Sequence, residues 1–226
     1  MSATVAAPHT QHAGEIERYT FTERVMHWLS GFTYLYCLGT GLAFYSPHLF
    51  WIAYVLGGAP TSRFWHPIVA IVFVMGTVWM HVLWGRDMEM TDVDKRWLDH
   101  MQAYVTNDEE HTPLADRFNA GQKLYYWLMV YGALFLLLSG IFLWFPEYIP
   151  RQAAWVRHVM ILLHEISALV TIAGFIIHIY MSVFMVPYSV TAMITGYVTR
   201  AWAWTHHRLW YLRVTGQPAA KASPKE

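Results

Sequence analysis

Apolar residues in this chain gather into four long runs separated by polar or broken stretches. The runs cover about residues 27–45, 66–84, 124–145 and 155–186. A membrane-crossing helix needs about 20 mostly apolar residues. Each run therefore predicts one span, and together they predict an all-α integral membrane protein built as a four-helix transmembrane bundle. The fourth run is longer than a span requires, so that helix should tilt or project beyond the bilayer. Between the first two runs, "YSPHLFWIAYVLGGAPTSRF" holds an apolar piece too short to cross. Gly57, Gly58 and Pro60 break it, which predicts an interfacial or re-entrant segment. The polar stretch between the second and third runs predicts a loop with one short helix around 94–105. After the fourth run, "SVTAMITGYVTRAWAWTHHRLWYLR" mixes apolar, basic and Trp residues behind Ser189, a possible N-cap. It predicts a C-terminal amphipathic helix lying on the membrane surface. Residues 1–16 read as a flexible arm and 215–226 as a disordered tail, leaving 1–214 as a single membrane domain.

Composition supports the membrane reading. The chain is 56% hydrophobic and 13% charged, where a soluble domain carries about 25% charged residues. Lys+Arg and Asp+Glu balance at 15 each, so no basic excess points to nucleic acid. The single cysteine, Cys37, excludes an intrachain disulfide, an all-cysteine iron–sulfur site and a Cys-x-x-Cys-His haem attachment. Any metal or haem must lean on the 13 histidines. The polar first 25 or so residues do not read as a cleaved signal peptide. With four spans, both termini and the central loop share a side carrying 12 basic residues, against Arg63, Arg151 and Arg157 opposite. That asymmetry predicts cytoplasmic termini.

The chemistry lies in the histidines. "LLHEISALVTIAGFIIHIYM" places His164 and His178 within one apolar helix, where ionisable groups mark cofactors, ion paths or relays. Fourteen positions at about 1.5 Å and about 100° each return both rings to the same face, roughly 21 Å apart. Small residues, Ser167, Ala168, Thr171 and Gly174, lie between them. This suits two flat cofactors stacked across the membrane; a small-residue packing seam is the plainer alternative. Partners must come from other spans at matching depth. His66 opens the second span at the depth of His164, and His27 opens the first at the depth of His178. His81, 15 positions after His66, competes with His27 for that role. His9, His12, His48, His100, His111, His158, His206 and His207 read as solvated, interfacial or facing elsewhere. Asn119, Gly121 and Gln122, before the third span, offer neutral hydrogen-bonding groups and close backbone approach. They equally suit an ordinary helix start capped by Asn119. Glu165 could reach a ring, a haem edge or the interface.

"RVMHW", "WHPI", "RFNAGQK", "LLHEISALVTIAGFIIHIYMS" and "SVTAMITGYVTRAWAWTHHRLWY" together resemble the gamma subunit of respiratory formate dehydrogenase, a membrane cytochrome b. The resemblance covers about residues 17–214. It implies four spans holding two b-type haems, with His66 and His164 binding the outer haem and His27 and His178 the cytoplasmic one. It also implies a quinone site (menaquinone or ubiquinone) at Asn119, Gly121 and Gln122. The implied partners are an iron–sulfur beta subunit and a molybdenum or tungsten catalytic alpha subunit. The chain has no catalytic residue for formate oxidation, which must belong to those partners. Two other functions remain open here: the cytochrome b of a nickel–iron hydrogenase or other periplasmic oxidoreductase, and a haem-free transporter or anchor.

Overall fold

A computed structural model describes residues 14–106, 108 and 110–216. In chain order the elements are β1 (Glu15–Glu17), α1 (Phe21–Tyr45), α2 (Trp51–Val55), α3 (Ala59–Trp84), α4 (Asp92–Asp99) and α5 (Met101–Val105). There follow α6 (Ala120–Trp144), α7 (Trp155–Tyr180), α8 (Ser189–Thr195), β2 (Tyr197–Thr199), α9 (Arg200–His206) and α10 (Arg208–Thr215). The chain is mostly helical, and the four long helices fall on the four apolar runs. Three of them, α3, α6 and α7, are long and apolar enough to cross a membrane. The fourth, α1, is as long but less apolar, with Ser, Thr, Tyr and Gly residues along its length. The fold divides into two compact units.

One unit, residues 22–89 and 122–181, contains the long helices. Tyr34 of α1, Phe73 of α3 and Ala133 of α6 form its buried centre, joined by Phe175 of α7. Tyr34 also donates a 3.3 Å hydrogen bond to Thr171. Small residues let the backbones approach, as expected where lipid offers no hydrophobic drive for helix pairing. The Gly132 backbone sits against the Thr171 methyl, and Gly76 against Ser30. Large apolar side chains instead cover the outside, among them Phe32, Met75, Val82 and Ile176. At one end the Trp84 indole donates to the buried Glu23 carboxylate at 2.6 Å. Trp127 Nε1 and Lys123 Nζ donate to the Met88 and Glu89 carbonyls at 3.0 and 2.9 Å, holding the start of α6 to the turn after α3. The segment between α1 and α3 is a one-turn helix, α2, ended by Gly57 and Gly58 at positive φ. Beyond α7, residues Met181–Met185 form a π turn rather than more α-helix.

The other unit gathers residues up to 21, 90–121 and 182 onwards, and several expectations change here. The chain is not purely α: β1 pairs antiparallel with β2, Ile16 facing Val198. The end of the expected flexible arm is thus a strand, while most of the arm and tail lies outside the described residues. The expected C-terminal surface helix is three short helices and a strand. Gly196, in the left-handed region at φ 95°, ends α8. Its carbonyl then accepts from Arg18 and Tyr19. Thr199 caps α9 by accepting from Trp202 N–H, and the N-cap of α8 is Tyr188, not Ser189. The central-loop helix is likewise two, α4 and α5, meeting at His100. A Thr91–Asp94 capping box starts α4.

Arg18 is the centre of this unit and is only 2% exposed. Its guanidinium lies 4.7 Å from the Trp210 ring and within 5.3–5.7 Å of Tyr19, Trp202 and Phe118. Those π faces stabilise a cation withheld from water. Arg18 donates to the Arg117 carbonyl and, at 3.1 Å, to His207 Nε2. His207 Nδ1 in turn donates to the Asp116 carbonyl at 2.7 Å. The sequence reading of His206 and His207 as solvated is therefore wrong: they are 6% and 1% exposed, drawn in by the pairing of β1 with β2. Burial, and then the charge of Arg18, pushes His206 down to about 4 and His207 well below its usual value.

The fold therefore favours the neutral form of both rings more than the unfolded chain does. Their contribution is complete above about pH 6.5 and is lost as pH falls through the folded values, about 4 for His206. Amide-exchange protection in β2 and α9 should accordingly drop between pH 6.5 and 5. Constant protection over that interval would show that these histidines do not stay neutral.

Candidate functional site

The long helices bring two pairs of imidazoles together. His66, from the second turn of α3, faces His164 of α7 with ring centres 6.4 Å apart. His27, from the second turn of α1, faces His178 near the end of α7 with ring centres 6.1 Å apart. The α7 face between the two pairs is its buried one, through Ser167, Thr171 and Gly174. Helix α7 therefore contributes one ring to each pair.

The surroundings of the pairs differ. His66 Nδ1 lies 2.7 Å from Thr40 Oγ1, and His164 Nδ1 lies 2.9 Å from Ser139 Oγ. Glycine follows each hydroxyl residue. A Cβ on Gly41 would stand 3.8 Å from Cε1 of His66, and one on Gly140 would stand 3.5 Å from Cε1 of His164. The Phe44 ring meets His66 edge-on. At the other pair, the Tyr125 ring lies flat against His178, 4.5 Å away and within 5° of parallel. Trp28 packs edge-on against His27.

His81 joins neither pair. Its Nδ1 is 2.5 Å from the Tyr126 hydroxyl, and its ring stacks on Tyr126 and abuts Trp127. The geometry thus pairs His178 with His27 rather than with His81. His48, His100, His111 and His158 are exposed, and His9 and His12 lie outside the described residues. Among the described residues no group of three or more His, Cys, Asp or Glu side chains could hold a metal ion. Paired imidazoles are the available donors.

Asn119, immediately before α6, is 2% exposed and hydrogen-bonds Tyr104, whose phenol burial pushes up to about 12. A Cβ on Gly121 would touch Asn119 Oδ1 and the Trp97 ring at 3.4 and 3.5 Å. Gln122 and Glu165 are half-buried. Sequence reading missed Thr40, Ser139 and Tyr125. A Ser or Thr inside a helix usually bonds its own backbone, so those hydroxyls gave no sign of a histidine partner.

A profile of the prokaryotic cytochrome b561 family matches residues 18–196. The chain belongs to that family. It is therefore a transmembrane b-type cytochrome, and its cofactor is haem b. It is 32% identical over 213 residues to the formate dehydrogenase cytochrome b556(fdo) subunit of Escherichia coli K12, covering 92% of this chain and 97% of that one. It is 29% identical to the nitrate-inducible cytochrome b556(Fdn) subunit of the same strain, over 92% and 95% of the two chains. The Haemophilus influenzae formate dehydrogenase cytochrome b556 subunit is also 29% identical, over 87% and 82%. The resemblance carried by the sequence motifs is borne out.

The histidine pairs fit such a cofactor. Their ring centres stand far enough apart for one metal ion between them, at metal–imidazole bonds of about 2.0–2.1 Å. Gly41 and Gly140 also leave space beside two of the four rings, where side-chain atoms would otherwise crowd a flat group.

Proposed function

We propose that this cytochrome b is the two-haem membrane subunit of a formate dehydrogenase complex. In this reading it carries electrons from a periplasmic iron–sulfur subunit across the bacterial inner membrane to quinone on the cytoplasmic side. Formate oxidation would belong to a molybdenum- or tungsten-containing subunit, because this chain contributes electron transfer and quinone reduction only. The relatives' names support the formate dehydrogenase assignment. The observation that carries the transmembrane path is the double use of α7, which has one facing imidazole pair towards each end.

His66 and His164 would hold the outer haem, and His27 and His178 the cytoplasmic one. Haem b supplies reversible one-electron chemistry when bound. Two imidazoles per iron leave no open position, favouring electron transfer over oxygen binding. The apolar exterior of the long helices keeps water from the rings. Asn119, Gly121 and Gln122 are the proposed quinone contacts. The Asn119 amide would donate to a quinone carbonyl while remaining neutral, so that no fixed charge opposes proton uptake during reduction. Its place in the chain directly before α6 supports this reading, as does the sequence resemblance.

Three measurements test these assignments. Purified protein should give two haems per chain by pyridine haemochrome assay and show b-type bands in a reduced-minus-oxidised spectrum. His164→Ala should lose the outer haem, His178→Ala and His27→Ala the cytoplasmic one, and His81→Ala neither. A haem-free wild type would instead indicate a transporter or passive anchor. For orientation, a reporter fused after Glu226 should behave as cytoplasmic, and a cysteine at Thr61 should label from the periplasm; the reverse pattern would invert the electron path.

For quinone, Asn119→Ala should keep both haems but slow their reoxidation by added quinone. The loss is expected at about 0.5–1.5 kcal/mol of binding, the net worth of one neutral hydrogen bond. Tyr104→Phe disturbs the internal Asn119–Tyr104 bond but leaves the amide, so it should reoxidise normally. Equal defects in the two variants would make Asn119 a structural residue.

A further inference from the structure

Thr40 and Ser139 have no role in the reading above, yet their hydroxyls are bonded to ring nitrogens of His66 and His164. We infer that they are positioning residues for the His66–His164 pair, each holding its histidine in the tautomer whose Nε2 is free to bind iron. The inference rests on the proposed ligand assignment and deepens it.

The argument is one of proton supply. A hydroxyl has one hydrogen to donate and two lone pairs to offer. Thr40 Oγ1 lies 2.8 Å from the Tyr36 carbonyl and 3.1 Å from that of Cys37, so its proton is committed to its own helix. Towards His66 Nδ1 it can then only accept. Ser139 Oγ is placed alike, 2.6 Å from the Phe135 carbonyl and 3.3 Å from that of Leu136. It too can only accept, from His164 Nδ1. Both hydroxyl residues are 0% exposed, so water does not compete for either bond. Each Nδ1 therefore carries the hydrogen, and each Nε2 carries the lone pair that a metal requires.

The arrangement occurs twice. A hydroxyl residue and a glycine stand side by side on one long helix, Thr40–Gly41 on α1 and Ser139–Gly140 on α6. The histidine they serve follows on the next long helix, 26 and 25 positions later respectively. The hydroxyl orients the ring through Nδ1, and the glycine leaves space beside Cε1. The His27–His178 pair has different surroundings. His27 Nδ1 is buried with no hydrogen-bond partner, and His178 is held by its stack on Tyr125.

An acceptor on Nδ1–H orients the ligand and raises its basicity, and loss of such a partner typically costs 10–100-fold in metal affinity. A more basic ligand favours oxidised iron, so removing the acceptor raises the reduction potential. In the intact membrane complex, Thr40→Val and Ser139→Ala should each weaken retention of the outer haem by about 10–100-fold. They should also raise its midpoint potential and shift its low-spin paramagnetic resonance signal, leaving the cytoplasmic haem's signal unchanged as a gauge of folding. Thr40→Ser and Ser139→Thr keep the hydroxyl and should restore all three properties. Ser139→Ala, which deletes a single atom, carries the test alone if Thr40→Val does not accumulate in the membrane. Wild-type potential and signal in Ser139→Ala would overturn the inference, as would failure of the hydroxyl-retaining variants to restore them. His66→Ala separates this from the ligand assignment. If only the inference fails, that variant still loses the outer haem. If it keeps both haems, the assignment itself falls and the inference with it.

Discussion

An imidazole inside an apolar bundle poses a problem with two halves. One nitrogen needs a hydrogen-bond partner, because leaving a buried polar group unpaired is costly, and the other must stay open if the ring is to bind anything. The long-helix unit meets this at one pair with side chains as small as a hydroxyl. Larger or charged partners would need room that close helix packing denies. The glycines at 76 and 132, the alternation of small and aromatic residues at its centre, and the Tyr34–Thr171 bond all serve the same need. They let four helices approach closely while keeping four rings facing in pairs.

The second unit handles the opposite case, a permanent charge with little water around it. Arg18 has aromatic rings on its faces, and a carbonyl and a neutral histidine as acceptors. Neutrality of His207 matters here because a protonated ring could not accept from the guanidinium. Arg213, by contrast, meets Asp116 at 3.0 Å near the surface, where an ion pair contributes little. Around Arg18 the unit is thus organised by rings and a neutral nitrogen.

Much of the long-helix unit could be read from the chain itself. The four apolar runs located the long helices, and the spacing of His164 and His178 put both rings on one face. Depth matching then proposed the partners that the fold brings opposite them. What escaped were features joined across long sequence separations or expressed by ordinary residues. Three-residue strands at 15–17 and 197–199 have no alternation long enough to register as sheet. Without that pairing, nothing drew attention to His206 and His207 as interior residues or to Arg18 as anything but one basic residue among several. Helix breaks at His100 and Gly196 were hidden inside segments whose mixed polarity suits a continuous amphipathic helix. Thr40 and Ser139 were unreadable because intrahelical bonding accounts for most such side chains.

The use of a single helix for both histidine pairs has a geometric corollary. The interval from His164 to His178 behaves as a ruler graduated in residues, each worth about 1.5 Å and about 100° of turn. Replacing a residue along it alters packing locally. Adding or deleting one swings a ring about a quarter turn off its partner and changes the span at once. The register of the two pairs therefore depends on how many residues this stretch of α7 holds, whatever else its buried small residues contribute to packing.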